Sequence, residues 1–324
     1  MERNLKSLLE VRGLSTYFFM KRGVLKAVDG VTFNIEKGQT LGLVGETGSG
    51  KSVTALSVIR LIQYPGRIVG GEVILQGENL LKKSDEEMRK VRGKNVSMIF
   101  QDPSTALNPV FTIGDQLMEA INVHKKVSGS EAKADAVKML QLVGVPLPEK
   151  RLDNYPHEFS GGMKQRVMIA MALSCNPMLL IADEATTNLD VTVQAQVLDL
   201  MRGLKKSLET SILLITHDMG VVAEMSDMVG VMYAGELVEL GKLDEIFYNS
   251  YHPYTKGLLE CVSRLKGTGQ LKTIPGAPPD MLNPPSGCKF HPRCTFGSSE
   301  CASQKHTLTE VAPNHFAACE ALQS

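Results

Sequence analysis

The apolar residues of the first third of the chain change from a strand pattern to a helical pattern around a glycine-rich stretch. Val31, Phe33 and Ile35 alternate with polar residues, which is typical of a strand with one buried face. Residues 40–44 form a largely apolar run that leads directly into the glycines, and residues 51–62 follow with helical character. The pattern therefore predicts a strand, a loop and a helix in immediate succession.

Later apolar runs predict more strands separated by helices. The expected strands lie at residues 73–75, 96–100, 178–181, 212–216, 229–233 and 237–240, the last two forming a hairpin about Ala234 and Gly235. Helices are expected at residues 131–143, with Ser130 as N-cap, and at residues 194–208. Strands that alternate with helices indicate an α/β core with a largely parallel sheet.

Composition and charge narrow the class of protein. The 324 residues are 43% hydrophobic and 22% charged, as in an ordinary globular protein. Basic and acidic residues both number 35, so no basic excess favours a nucleic-acid partner. No apolar run approaches the roughly 18–20 residues of a membrane span, and the N-terminus lacks the apolar region of a secretory signal. We expect a cytoplasmic chain whose cysteines are reduced or bound to metal.

The glycine-rich stretch matches the phosphate-binding pattern G-x-x-x-x-G-K-S. It consists of Gly45, Glu46, Thr47, Gly48, Ser49, Gly50, Lys51 and Ser52. Its glycines allow backbone N–H groups to surround a polyphosphate. Lys51 then places a positive charge on the β- and γ-phosphate oxygens, and the Ser52 hydroxyl can bind Mg²⁺.

Polar residues follow three of the predicted strands. Asp183 and Glu184 come directly after the run at 178–182, where an aspartate can help to hold Mg²⁺ and a glutamate can polarise an attacking water. An isolated acidic pair would be two solvated carboxylates, but the upstream phosphate loop favours the catalytic interpretation. His217 follows the next strand, where it can reach a γ-phosphate. Gln101 follows the strand at 96–100 and its side chain can reach both Mg²⁺ and water, but only the resemblance given below selects it over an ordinary loop amide.

A second anion-binding turn precedes the apolar helix at 167–173. Ser160, Gly161 and Gly162 stand at the start of that helix, where free N–H groups favour an anion. Since the chain already contains one phosphate loop, a second such turn suggests that it closes on a nucleotide held by another subunit.

The order of these motifs resembles that of the ABC-type ATPases. Residues 45–52 resemble Walker A, Gln101 the Q-loop, residues 159–163 the signature, residues 179–184 Walker B with its catalytic carboxylate, residues 188–190 the D-loop ending in Asp190, and His217 the switch histidine. The aromatic that stacks on adenine falls at Tyr17, with Phe18 and Phe19 as alternatives.

That resemblance implies a fold and a domain division. The fold is an α/β RecA-like phosphate-loop core with an antiparallel β subdomain and an inserted α-helical subdomain, followed by a Cys/Pro-rich C-terminal tail. The core and β subdomain would comprise residues 1–102 and 166–250, the helical signature subdomain residues 103–165, and the tail residues 251–324.

Four segments narrow the resemblance to the ATPase subunits of oligopeptide and dipeptide importers, namely residues 101–109, 155–163, 252–255 and 274–288. Such a subunit would hydrolyse ATP with Mg²⁺ at the cytoplasmic face of the inner membrane. Its partners would be a second, related ATPase subunit, two integral membrane permease subunits and an extracytoplasmic solute-binding protein, with no nucleic acid. Ala185 and Asn188 depart from the family pattern, which usually has proline and alanine there.

Three alternatives remain open at this point. An importer of the same subfamily could carry a sugar, nickel or glutathione. A soluble ABC ATPase could act on nucleic acid or ribosomes, although the chain has neither a second cassette nor a basic run. A phosphate-loop kinase or GTPase would leave the signature turn, Gln101 and His217 unexplained.

The tail contains four of the six cysteines, Cys288, Cys294, Cys301 and Cys319. Zinc ribbons usually contain tight C-x2-C pairs, and the tail has none. Four thiolates on wider loops can hold a cubane, and some importer ATPases that the chain resembles have a [4Fe–4S] cluster in such a tail. We therefore expect that cluster, with zinc or four unlinked thiols as alternatives and with His291 as a possible replacement for one thiolate.

Overall fold

The computed structural model of the chain describes residues 7–187, 189–263 and 274–319. They form two compact units, one comprising the chain up to Lys82 and from Leu214 onward, the other residues 83–213. The strands are β1 (Ser7–Met20), β2 (Gly23–Glu36), β3 (Thr40–Val44), β4 (Gly66–Leu75), β5 (Glu78–Asn79), β6 (Val96–Ile99), β7 (Leu179–Asp183), β8 (Ser211–Ile215), β9 (Met228–Tyr233), β10 (Glu236–Lys242), β11 (Thr309–Ala312) and β12 (His315–Ala317). The three-part division expected from the sequence stays a prediction.

Helices occupy most of the segments between these strands. They are α1 (Lys51–Val58), α2 (Asp85–Val91), α3 (Pro103–Ala106), α4 (Ile113–Lys125), α5 (Gly129–Leu142), α6 (Pro148–Arg151), α7 (Gly161–Leu173), α8 (Val191–Leu208), α9 (Met219–Met225), α10 (Leu243–Tyr248), α11 (Pro253–Ser263) and α12 (Ser299–Ser303). None of the described helices combines the length and the apolar character that a membrane span needs.

The first unit contains an antiparallel sheet and a mixed sheet. The antiparallel sheet has the strand order β2-β1-β4-β5. In the mixed sheet, β11, β12, β10, β9 and β3 follow one another, and only the pairing of β3 with β9 is parallel. The expected hairpin joins β9 to β10 through Ala234 and Gly235, which both have positive φ. Two such residues give the turn whose twist matches that of the strands.

The tail packs on the hydrophobic core of this unit. Phe290 is 4% exposed and belongs to one buried cluster with Val44, Tyr233 and Tyr254. Its ring centroid lies 5.2 Å from that of Tyr233 and 5.4 Å from that of Tyr254. Apolar packing therefore anchors the tail although its composition is rich in proline and cysteine.

The second unit combines a parallel strand pair with helices. β6 and β7 run parallel, with Val96 opposite Leu179, and α4, α5 and α7 pack against one another. The cap of α5 is Ser128 and not Ser130, which corrects the expectation from the sequence. Ser128 accepts from the N–H of Glu131 and the Glu131 carboxylate accepts from Ser128, so the reciprocal capping box selects the earlier serine.

A buried carboxylate connects the tail to β10. Glu239 is fully buried and accepts hydrogen bonds from His315 Nε2 at 2.8 Å, from the Tyr251 N–H at 2.7 Å and from the His252 N–H at 3.0 Å. Both of its oxygens are therefore used: Oε1 binds β12 and the loop before α11, and Oε2 binds the same loop. Removing one acceptor from such a site leaves a buried donor without its partner, which is costly.

We expect Glu239→Gln to lower the free energy of unfolding by about 2 kcal/mol, because the amide offers one acceptor oxygen and turns an NH₂ group toward a buried donor. Denaturant titration of the full chain measures the change. Glu119→Gln is the control, since Glu119 lies exposed on α4. Equal midpoints for the two variants would contradict the structural role of Glu239.

Candidate nucleotide site

The glycine-rich loop lies between β3 and α1 and its backbone is packed closely on two sides. A Cβ at Gly45 would lie 2.1 Å from the Met232 carbonyl oxygen, and one at Gly50 would lie 2.3 Å from the Ala27 carbonyl oxygen. Both glycines have positive φ. Side chains are thus excluded on the faces turned toward β2 and β9, and the loop backbone is held against these strands.

Lys51 lies inside the curve of this loop. Its side chain is buried, and Nζ donates to the carbonyl oxygens of Gly45 at 2.7 Å and Glu46 at 3.0 Å. Ser52 follows in the first turn of α1, and Thr47 and Gly48 are exposed on the rim of the loop. Among the described residues no side chain caps α1, so this helix start has the character of an anion site.

Tyr17 stands on the strand pair that contacts the loop. It lies opposite Lys26, the neighbour of Ala27, and Lys26 Nζ lies 5.4 Å from the centroid of its ring. The hydroxyl donates to Asp29 Oδ1 at 2.7 Å. Burial, with this hydrogen bond, raises the pKa of Tyr17 to about 12, so the ring stays neutral. Tyr17 is therefore a neutral aromatic close to the phosphate loop.

His217 lies at the end of β8, near the start of the loop. The N–H of the preceding residue, Thr216, donates to the carbonyl oxygen of Leu43 at 3.2 Å, and Leu43 is two residues before Gly45. The His217 side chain is exposed. This strand-end position agrees with the sequence expectation.

The second unit brings Gln101 and the acidic pair together. Ile99 of β6 pairs with Ala182 of β7, so both segments leave their strands at the same end. Gln101 Nε2 donates to Glu184 Oε2 at 2.7 Å, and Thr187 Oγ1 donates to the same oxygen at 3.3 Å. Asp183 is 7% exposed and closes β7. Glu184 has φ 47°, a left-handed conformation that turns the chain sharply after the strand.

The signature turn is exposed and lies beside the segment that resembles the D-loop. Ser160 caps α7 by accepting from the Met163 N–H at 3.4 Å. A Cβ at Gly162 would lie 2.7 Å from the Val193 side chain, and the Val193 N–H donates to Asp190 Oδ1 at 3.0 Å. Ser160 and Gly161 remain exposed on the other side. Asn188 falls outside the described residues.

The described cysteines of the tail are not grouped in the way that metal ligands are. The Cys288 N–H donates to the Cys301 carbonyl oxygen at 2.8 Å, so the two segments that carry these cysteines lie side by side. In the described ranges, which include Cys319, no three His, Cys, Asp or Glu side chains are placed to hold a metal ion. The residues do not fit the expected [4Fe–4S] cluster or zinc, so neither is supported.

The fold and the phosphate loop define the class of protein as a nucleotide-binding ATPase cassette. Residues 28–187 match the family model for the ABC transporter, and residues 238–301 match that for the oligopeptide/dipeptide transporter, C-terminal region. A dimeric structure of the bacterial ABC transporter cassette MJ0796 superimposes with a TM-score of 0.65 at 26% identity, covering 72% of this chain and 98% of that one.

Two transport proteins of known sequence are more similar to this chain than the MJ0796 cassette is. The oligopeptide transport ATP-binding protein OppD of Bacillus subtilis is 51% identical, over 95% of this chain and 87% of that protein. OppD of Escherichia coli is 48% identical, over 97% of this chain and 93% of that protein. The chain belongs to the ATP-binding subunits of ABC transporters, which confirms the resemblance. The likeness to solved ABC cassettes confirms the ABC-ATPase fold class expected from the sequence, and the Cys/Pro-rich tail of that expectation stays a prediction. ATP and Mg²⁺ are the expected ligands of such a cassette.

We expect Gly50→Ala to lower the free energy of unfolding by about 1–3 kcal/mol more than Gly77→Ala, through steric overlap with the Ala27 carbonyl. Gly77 is the matched control, because its φ is also positive but a Cβ there would have nothing within 4 Å. The control should lose only the strain of a left-handed residue, about 1–2 kcal/mol. Denaturant titration of both variants measures the difference, and equal losses would contradict the close packing of the loop.

Proposed function

We propose that this chain is the ATP-hydrolysing motor subunit of an importer of di- and oligopeptides. The observation that carries the peptide assignment is the match of residues 238–301 to the C-terminal region of oligopeptide/dipeptide transporters. The two named relatives are oligopeptide transport ATP-binding proteins and share about half of their residues with this chain. The substrate class follows from that likeness, and the chemistry follows from the motifs.

The proposed roles follow the chemistry of each side chain. Lys51 and the N–H groups of the phosphate loop neutralise charge on the transferred phosphoryl group. Ser52, Gln101 and Asp183 would hold Mg²⁺, and their oxygen donors are of the kind that this ion prefers. Bound Mg²⁺ supplies charge neutralisation at the phosphate oxygens. Glu184 orients or deprotonates the attacking water.

The remaining site residues recognise the ends of the nucleotide. His217 contacts the γ-phosphate and Tyr17 stacks on adenine. Ser160 and its two glycines, with Asp190, act on the nucleotide of a partner ATPase subunit of a related kind. The exposure of Ser160 and Gly161 supports this arrangement, since the turn is open to a second chain. The MJ0796 cassette, for comparison, is described as dimeric.

Membrane partners would contact the segment around Gln101. Phe100, Val110 and Phe111 are exposed there, at 40%, 71% and 52%. Exposed large apolar side chains concentrated in one short segment favour an interaction surface. We therefore place the chain at the cytoplasmic face of the membrane, with two permease subunits and an extracytoplasmic solute-binding protein that delivers the cargo.

The peptide assignment predicts ATP-dependent uptake of short peptides by the complete transporter. The full chain would be reconstituted into proteoliposomes with its co-purified membrane subunits, its partner ATPase and the binding protein. Accumulation of a labelled tripeptide or pentapeptide is the expected result. Accumulation of nickel, a sugar or glutathione without any peptide would contradict the assignment.

We expect Glu184→Gln to reduce ATP turnover by about 10²–10⁴-fold, because the amide cannot accept a proton from water. Binding of MgATP should persist, since the phosphate loop is unchanged. Phosphate release and equilibrium binding measure the two properties separately. Glu149→Gln is the control, an exposed carboxylate of the same unit. Full turnover of Glu184→Gln would exclude Glu184 as the base.

A further inference from the structure

Every polar group of Glu46, the second residue of the phosphate loop, is engaged. Its N–H donates to the Tyr254 hydroxyl at 2.8 Å. Its carbonyl oxygen accepts from Lys51 Nζ at 3.0 Å and from the Ser49 N–H at 3.1 Å. Its carboxylate accepts from Arg293, Nη1 to Oε2 at 2.8 Å and Nη2 to Oε1 at 3.0 Å. Neither Arg293 nor Tyr254 belongs to the motifs that the sequence predicts for nucleotide binding.

Arg293 is fixed in the tail before it meets the loop. Its side chain is only 5% exposed, and Nε donates to the Pro275 carbonyl oxygen at 2.9 Å. The guanidinium lies 5.8 Å from the ring centroid of Tyr233 and 5.9 Å from that of Phe290. A planar guanidinium held in this way presents a rigid pair of donors to one carboxylate, as in a bidentate ion pair.

Anchoring of the tail does not by itself account for this ion pair. Phe290 already packs on the core, and the tail has a second buried cation, Lys289, which donates to the Ala234 carbonyl oxygen at 2.8 Å and pairs with Glu236 at 3.2 Å. Replacing a buried ion pair by apolar residues is often neutral or stabilising, so adhesion alone would not require Arg293 and Glu46. What distinguishes the Arg293 pair is its place in the phosphate loop.

An unpaired carboxylate at Glu46 would oppose the function of the loop. It would repel a polyphosphate bound by the adjacent N–H groups, and solvent would screen this repulsion only in part, because the Glu46 side chain is 27% exposed. The paired Arg293 cancels that charge. The contacts also fix the carbonyl oxygen that receives Lys51, so the ammonium position depends on the Glu46 backbone.

We propose that Arg293 and Tyr254 are positioning residues of the nucleotide site, which hold and neutralise Glu46 and so couple docking of the C-terminal tail to nucleotide affinity. The inference rests on the proposed binding of ATP at this loop. Because such coupling is reciprocal, nucleotide binding stabilises the docked tail by the same factor.

The test measures MgATP and MgADP affinity, KM and kcat with the full chain and its partner ATPase. Arg293→Gln should raise the dissociation constant by about tenfold, within the range of ordinary coupling, and raise KM more than it lowers kcat. Adding Glu46→Gln to this variant removes the unpaired charge and should restore affinity to within about threefold of wild type. A tail that acts only as a structural support predicts no such rescue.

Two further variants separate this role from loss of folding. His315→Ala removes the buried hydrogen bond between the tail and Glu239, so it should lower the thermal midpoint and leave nucleotide affinity within about twofold. Arg293→Lys keeps the positive charge and loses the paired donors, so its nucleotide affinity should fall between those of wild type and Arg293→Gln. If Arg293→Gln does not fold, Arg293→Lys is measured in its place.

Unchanged nucleotide affinity of the folded Arg293 variants, or a double variant that binds less tightly than Arg293→Gln, would overturn the proposal. Equal loss of affinity in His315→Ala would also overturn it, because any destabilised tail would then have the same effect. A wild-type chain that binds no nucleotide would instead refute the proposed function, so the two failures are distinguishable.

Discussion

The close packing of the phosphate loop against two backbone carbonyls is the constraint on which the rest of the site depends. The carbonyl oxygens of Ala27 and Met232 leave no room for a side chain at Gly50 and Gly45. The loop therefore takes its curve from β2 and β9 before any nucleotide binds, and Lys51 is directed into it by the loop's own carbonyls. Such preorganisation avoids ordering costs at the moment of binding.

Local sequence signals predict the parts of the site that local interactions determine. The buried run of β3, the glycines and the helix α1 follow from residues next to one another in sequence. The contact of Gln101 with Glu184 follows from two strands that end at the same edge. The choice between two similar residues that lie close in sequence is harder to predict. Ser128 and Ser130 are both good N-cap residues for α5, and only the hydrogen bond of the Glu131 carboxylate to Ser128 decides between them.

The tail could not be predicted in the same way, because distant residues hold it. The pairing of Glu239 with Ala317 joins β10 to β12, and Arg293 meets Glu46 across 247 residues of sequence. Cysteine spacing shows that thiols are available and does not show whether they converge. Here the aromatic packing of Phe290 and the buried cations anchor the tail, a role that the sequence suggested for a metal.

The contacts of Glu184 also constrain hydrolysis under the proposed function. One carboxylate oxygen accepts from both Gln101 and Thr187. These two donors hold the carboxylate in one orientation, so the direction of its oxygens toward an attacking water changes when either donor turns away. Gln101 is the donor with freedom to do so, since it is exposed and stands in the segment with the exposed Phe100 and Phe111. A partner bound to that segment would therefore set the geometry of the base without touching the nucleotide.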